Sequence, residues 1–235
     1  MLKVELHSHT ADDPHDRIPH TAEQLIDRAA GLSYDALAMT LHDKQLDLAP
    51  LAAHAAQRGV VLIPGIERTI GHKHVLLLNF SRAAESVRSF ADVAALKQRE
   101  PNGLVVAPHP YFPARSCLWG LLDDYADVFD AVEVNATFTE ALDFNAPARR
   151  WAQARGKPLV GNGDIHRLSQ LGTTYSLVDA VPDPDAICAA IKAGRVTVDA
   201  SPLSWLTVAA VMGDLVLSSV LPAPAPLRNP SADPA

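Results

Sequence analysis

Met1-Leu2-Lys3-Val4-Glu5-Leu6-His7-Ser8-His9 opens the chain. Lys3–His7 reads as a strand, and residues two apart on an extended segment share a face. His7 and His9 therefore present two imidazoles on one side, where they can chelate a single ion. The same placement recurs along the sequence. His42 ends Thr40-Leu41-His42, Glu67 ends Ile63-Pro64-Gly65-Ile66-Glu67, and His74 lies in Lys73-His74-Val75. His109 follows Ala107-Pro108, and Asp164 and His166 close Gly161-Asn162-Gly163-Asp164-Ile165-His166. Imidazoles and carboxylates delivered from successive strand ends are how an α/β barrel gathers metal ligands at one rim. A core built only for packing has no need of so many titratable groups.

Apolar runs of four to seven residues alternate with stretches of helical period, the pattern of βα units around a parallel sheet. The expected strands are Lys3–His7, Ala36–Thr40, Val60–Pro64, His74–Phe80, Leu104–Ala107, Ala131–Val134, Pro158–Gly161 and Thr174–Val178. The expected helices are Thr21–Leu32, Leu48–Arg58, Phe90–Arg99, Leu118–Tyr125, Asn145–Arg155 and Pro184–Ala193. Thr21 and Gln24 have the spacing of a capping box. Gly71-His72-Lys73 is compact enough to make the third and fourth strands a hairpin.

At 235 residues the chain can bury one substantial core. Its formal net charge of −7 speaks against long-range attraction to nucleic acid or to an anionic membrane. Cys117 and Cys188 form no metal or disulfide framework, which fits a reducing compartment. There is no signal-peptide pattern, and the expected setting is cytoplasmic, without a membrane. The reading divides the chain into a catalytic barrel over 1–200, a helical extension over 201–220 and a Pro/Ala-rich tail over 221–235 that is expected to be disordered.

Taken in order, His-x-His, Thr-x-His, Pro-Gly-x-Glu, His-Val-Leu, His-Pro and Gly-x-Asp-x-His resemble the PHP (polymerase and histidinol phosphatase) family, from Leu2 to about Asp199. The resemblance implies a distorted (β/α)7 barrel with two or three divalent ions, Zn, Mn or Fe, at its C-terminal face. It implies that His7, His9, Glu67 and Asp164 hold the first ion. Glu67 bridges to a second with His74 and His109, and His15, His42 and His166 hold a third. In Asp12-Asp13-Pro14-His15-Asp16 both Asp13 and His15 are candidates, and the spacing from His9 favours His15. The chain departs from relatives that read Thr-Asp-His, having Thr40-Leu41-His42-Asp43 instead.

Such a site suits hydrolysis by a metal-bridged hydroxide held by Glu67 and Asp164. The expected substrate is a small phosphorylated metabolite, and long nucleic acid is not expected in an acidic chain with 13 scattered aromatic residues. Arg68, Arg115 and Arg167, each near a ligand in sequence, are candidates for phosphate contacts, and His20 for a substrate contact. Glu133 and Asn135 read as supporting or substrate groups. The alternatives are hydrolysis of an amide on the same ions and a non-enzymatic metal-binding regulator.

Overall fold

Leu2–Glu5 forms β1, the first of nine strands that make a single sheet among the described residues. The structure is a computed structural model, and it describes residues 1–209 and Gly213. After β1 come α1 (Ala22–Gly31), β2 (Ala36–Met39), α2 (Ala52–Gln57), β3 (Val61–Ile70), β4 (Lys73–Leu78) and α3 (Phe90–Arg99). Then follow β5 (Leu104–Ala107), α4 (Leu121–Asp124), β6 (Ala131–Asn135), α5 (Asn145–Arg155) and β7 (Leu159–Asn162). The order ends with β8 (Thr174–Val178), α6 (Pro184–Lys192) and β9 (Val196–Ala200). The expected tail over 221–235 lies outside the described residues, and of the expected extension only 201–209 and Gly213 are described.

The strands run in the order β7-β6-β5-β4-β3-β2-β1-β8-β9. Pairs β1–β2, β2–β3, β5–β6 and β6–β7 are parallel, while β4, β8 and β9 run antiparallel to their neighbours. The two ends of the sheet curl towards each other. Ser176 Oγ accepts from Gly161 N at 2.9 Å and donates to Gly161 O at 3.1 Å. This approach needs glycine, since a Cβ on Gly161 would sit 2.6 Å from the Tyr175 carbonyl oxygen. The result is a nearly closed α/β barrel of the expected class, with nine strands rather than seven.

Two differences from expectation have local causes. β3 is ten residues long because it changes partner midway. Val61–Pro64 pair with β2, and Gly65–Ile70 pair with β4, which turns back across a tight hairpin between Ile70 and Lys73. Glu67 therefore sits within a strand, not at its end. The second difference is β9, whose alternating, half-exposed Val-Thr-Val-Asp-Ala carries no continuous apolar run.

Side chains of successive strand residues point to opposite faces. Leu77 joins Val105, Val132 and Phe129 beneath α3 and α5, whereas Leu76 and Leu78 join Val4, Ala36, Ile63 and Leu104. On that second face Ile187, Ala190 and Ile191 of α6 close over the N-terminal parts of the strands. The C-terminal ends are not covered by α6. α1 starts with the expected capping box, Thr21 Oγ1 accepting from Gln24 N and Gln24 Oε1 accepting from Thr21 N. Among the described residues no helix is long and apolar enough to cross a membrane.

Candidate metal centre

Every expected ligand except His15 joins one cluster, in which five histidines meet Glu67 and Asp164 links His7 and His9 to His166. β1 runs out at Glu5, and the chain continues extended to bring His7 and His9 inward, held by bonds of His9 N to Ile165 O and of Ile165 N to His7 O. β2 leads to His42, which bridges to Glu67 on β3. β4 is antiparallel, so its first residues, including His74, lie on the same rim as the ends of the parallel strands. β5 leads to His109, and β7 to Asp164 and His166.

Glu67 Oε2 lies 3.1 Å from His7 Nε2, 3.4 Å from His9 Nε2 and 3.2 Å from His42 Nε2. Its Oε1 lies 2.7 Å from His74 Nδ1 and 3.3 Å from His109 Nε2. Asp164 Oδ1 is 3.3 Å from His7 Nε2, 3.5 Å from His9 Nε2 and 3.4 Å from His166 Nδ1. Ligand atoms about 2.1 Å from one tetrahedral ion stand about 3.4 Å apart, so most of these separations are ligand edges as well as hydrogen-bond lengths. His9 Nε2 decides between the two meanings. It is buried with no hydrogen-bond partner, yet two carboxylates flank it. A nitrogen in that position is suited to a cation.

Five overlapping groups of three ligand atoms occur among the described residues: His7/His109/Asp164, His7/His9/Glu67, His9/Asp13/His42, His9/Asp164/His166 and His42/Glu67/His74. The groups overlap, with His9 in three of them and Glu67, the expected bridge between the first and second ions, in two. Asp13, not His15, enters the cluster. Asp13 Oδ1 accepts from the backbone N–H of both His15 and Asp16, closing a tight turn that sends the His15 ring outward. His15 is 57% exposed, with Nε2 3.4 Å from Asp43 Oδ2. Asp13 Oδ2 meets His9 Nδ1 at 2.9 Å and His42 Nδ1 at 3.0 Å. It therefore orients His42, the job that the acid of a Thr-Asp-His motif would do. Asp16, not singled out in the sequence, meets His166 Nε2 at 3.0 Å.

A further layer fixes the rings from behind. Glu133 Oε2 takes His7 Nδ1 at 2.8 Å, and Oε1 accepts from His109 N and Asn135 Nδ2. Cys117 Sγ lies 3.4 Å from His109 Nδ1. Carboxylate partners of this kind fix the tautomer and orientation of a ligating imidazole. Glu5 accepts from His7 N and from Gly163 N, and a side chain at position 163 would collide with Ile165 and crowd Glu5. The rim also stores backbone strain. Asp43, His109 and Asp164 take positive φ values of 55°, 28° and 50°, a conformation that non-glycine residues hold only when their surroundings demand it.

Charge balance explains why the cluster persists in folded protein. Burial opposes charge on His7, but Asp164, Glu67 and Glu133 raise its proton affinity well above the ordinary histidine value. His9 is likewise raised against burial by Asp13, Asp164 and Glu67, and His109 by Cys117, Glu67 and Asp164. Burial also opposes charge on Glu67, yet His74, His7 and His42 hold its carboxyl well below the usual range. Asp164 is lowered in the same way by His7, His9 and His166. The carboxylates thus demand positive charge, which protons supply when no metal does.

The expected basic rim takes a different form. Arg68 follows Glu67 on β3 and so points to the opposite face, where it pairs with Asp43 and donates from Nε to Val87 O at 2.7 Å. Arg115 and Arg167 do not line the cavity beside the cluster. His20 does not line it either. Its Nε2–H donates to the His9 carbonyl at 2.9 Å, so it supports a ligand's backbone.

Residues 143–196, from just before α5 to the start of β9, match the PHP_C family, described as PHP-associated. No curated protein matches the sequence. Among solved structures, a two-domain Bacteroides vulgatus protein containing a predicted PHP-like metal-dependent phosphoesterase superposes with a TM-score of 0.66 at 18% identity, over 84% of this chain and 64% of that one. PsfC from Pseudomonas syringae superposes with a TM-score of 0.63 at 18% identity, over 92% and 97% of the two chains. The lesion-specific endonuclease EndoQ from Pyrococcus furiosus gives 0.57 at 14% identity, over 90% and 66%. The chain thus spans just under two thirds of the first and last of these.

Proposed function

We propose that this chain, which adopts the PHP fold and carries a PHP-associated segment, is a metal-dependent phosphoesterase acting on a small phosphorylated molecule. The observation that carries the reading is the convergence of five histidines on the two oxygens of one buried carboxylate, Glu67. Two or three divalent ions, Zn, Mn or Fe, suit that mixed imidazole and carboxylate donor set. When bound they would activate water and draw charge from phosphoryl oxygens.

The chain's own residues prepare the site for that chemistry. Glu67 offers one oxygen to the His7/His9/His42 side and the other to the His74/His109 side, which suits it to bridge two cations. Asp164 joins the first side and His166 extends it. Asp16 holds His166 in one orientation, and Asp13, which orients His9 and His42 in the metal-free cluster, would serve as a ligand of the third group once an ion replaces those hydrogen bonds. Glu133 holds His7, so that its Nε2 faces the cluster. These groups are set by strands and by outer hydrogen bonds, so little reorganisation is needed at the moment of reaction.

Cleavage of a phosphodiester within nucleic acid is the second reading, and the likeness to EndoQ favours it. The cavity beside the cluster, of about 210 Å³, favours the smaller substrate. The test is phosphate release by purified protein with Mn²⁺, Zn²⁺ or Fe²⁺ on phosphomonoesters, short diesters, and single- and double-stranded oligonucleotides, beside amide substrates. Turnover of small esters is the expected result. Turnover of oligonucleotides or amides alone, or metal loading without any turnover, would overturn it.

A further inference from the structure

The cavity beside the ligand cluster has two unlike walls. One is the acidic and imidazole rim. The other is the segment after His109, which presents Phe112, Pro113, Ala114, Ser116 and Cys117, with the uncharged Asn135 and Thr137 completing the lining. The ring of Phe112 packs 5.4 Å from that of Phe144 and 6.5 Å from that of His109. No lysine or arginine of the described residues lines this space. Nearby cations are engaged elsewhere: Lys73 Nζ donates to the Arg115 and Cys117 carbonyls at 2.9 and 2.8 Å, and Arg68 is held by Asp43 and Val87.

We infer that this second wall receives the leaving group, and that the substrate is a small phosphoester of an uncharged, largely apolar alcohol or phenol. The inference rests on the phosphoesterase reading above. In hydrolysis, water's oxygen forms the new P–O bond, the ester P–O bond breaks, and the departing oxygen takes a proton to give inorganic phosphate and a neutral alcohol. An apolar leaving group gains by covering Phe112 and Pro113. One carrying a second negative charge would be desolvated against a wall that supplies no cation of its own, the charge of the ions being matched by the carboxylates of the rim and by the phosphoryl oxygens. The wall is already formed. Ser116 O accepts from His74 N at 2.9 Å, Pro110 O from Trp119 N at 2.9 Å and Phe112 O from Ala114 N at 2.8 Å, so binding need not order it. Size points the same way, since about 210 Å³ is below the range of about 300–1,000 Å³ typical of ligand sites.

Unreactive phosphonates separate binding from leaving-group reactivity. Full-length, Mn²⁺-loaded protein is titrated calorimetrically with methylphosphonate, phenylphosphonate and 3-phosphonopropionate. Phenylphosphonate is expected to bind about 10-fold or more tighter than methylphosphonate, the scale of selectivity that apolar contacts provide. 3-Phosphonopropionate is expected to bind no tighter than methylphosphonate. Phe112→Ala should narrow the phenyl-over-methyl ratio. Ala114→Lys, at an exposed position, should raise the affinity for 3-phosphonopropionate relative to methylphosphonate. A wild-type ratio near one, or a preference for 3-phosphonopropionate, overturns this inference and leaves the phosphoesterase reading standing. Failure of all three phosphonates to bind removes the reading on which it rests.

Discussion

Leu6 and His7 are consecutive residues, and both are fully buried. Leu6 belongs to the packed body, beside Val4, Ala38 and Leu76, and His7 to the rim around Glu67. The body is held by apolar area, which is indifferent to pH and to ions. The rim is held by opposed charges removed from water, a costly arrangement unless each is matched. Two zones of equal burial therefore have different dependences: one on side-chain volume, the other on cation supply.

The largest expected effect lies in the rim. Glu67→Gln keeps the shape but removes the charge on which five imidazoles converge. Divalent-metal affinity should fall by more than the roughly 100-fold that an outer hydrogen-bond partner costs, with phosphate release falling alongside. Elemental analysis and calorimetric titration check this, and undiminished metal loading would refute the assigned centre. In the body, Leu77→Ala should remove about 2–5 kcal/mol of stability, measured by denaturant unfolding, while metal stoichiometry stays the same. A loss of metal there would mean that the two zones are not separable.

Acidity should distinguish them next. In metal-free protein, Glu67 and Asp164 have lowered folded values, so their stabilisation is present above the ordinary values of 4.5 and 3.8 and is lost as pH falls below them. His7, His9 and His109 have raised values, so theirs is present below 6.5 and is lost as pH rises above it. Glu5, pushed up to about 8 chiefly by burial, acts in the same direction, its contribution disappearing between 4.5 and about 8. Metal-free protein should melt at lower temperature as pH rises from 6.5 to 9. Bound metal replaces the protons and binds more tightly as pH rises, so loaded protein should hold or gain. Melting curves in chelator and in Mn²⁺ that run parallel would contradict the comparison.

Much of this was legible in the sequence because strand periodicity and chain reversal are local rules. α3, α5, β5 and β8 begin and end where periodicity places them, and His7, His9, His42, His74, His109, Asp164 and His166 reach one rim. Two failures share a cause: nearness in sequence is not direction in space. Arg68 adjoins Glu67 but points away, as alternation on a strand requires. His15 has the better spacing from His9, but the turn closed by Asp13 rotates it out and brings the aspartate in. That turn hangs on the Asp13 side chain, and the Phe112 wall on backbone bonds, between residues whose pairing no periodicity encodes.

The smallest expected effect tests whether the body can be weakened without the rim noticing. Asp183 caps α6, its side chain accepting from Ala186 N, with Pro184 in the first helical position. α6 packs Ile187, Ala190 and Ile191 onto the strands far from the rim that holds Glu67. Asp183→Ala leaves donors of the first turn without that acceptor, at a cost of about 1 kcal/mol. For a chain of this length that corresponds to a fall in Tm of about 2–4 °C. Because the lost bond stabilises only the folded body, the shift should be equal in chelator and in Mn²⁺. A larger shift in Mn²⁺ would show that α6 transmits to the rim, and that the division between packed body and charged rim lies elsewhere in the barrel.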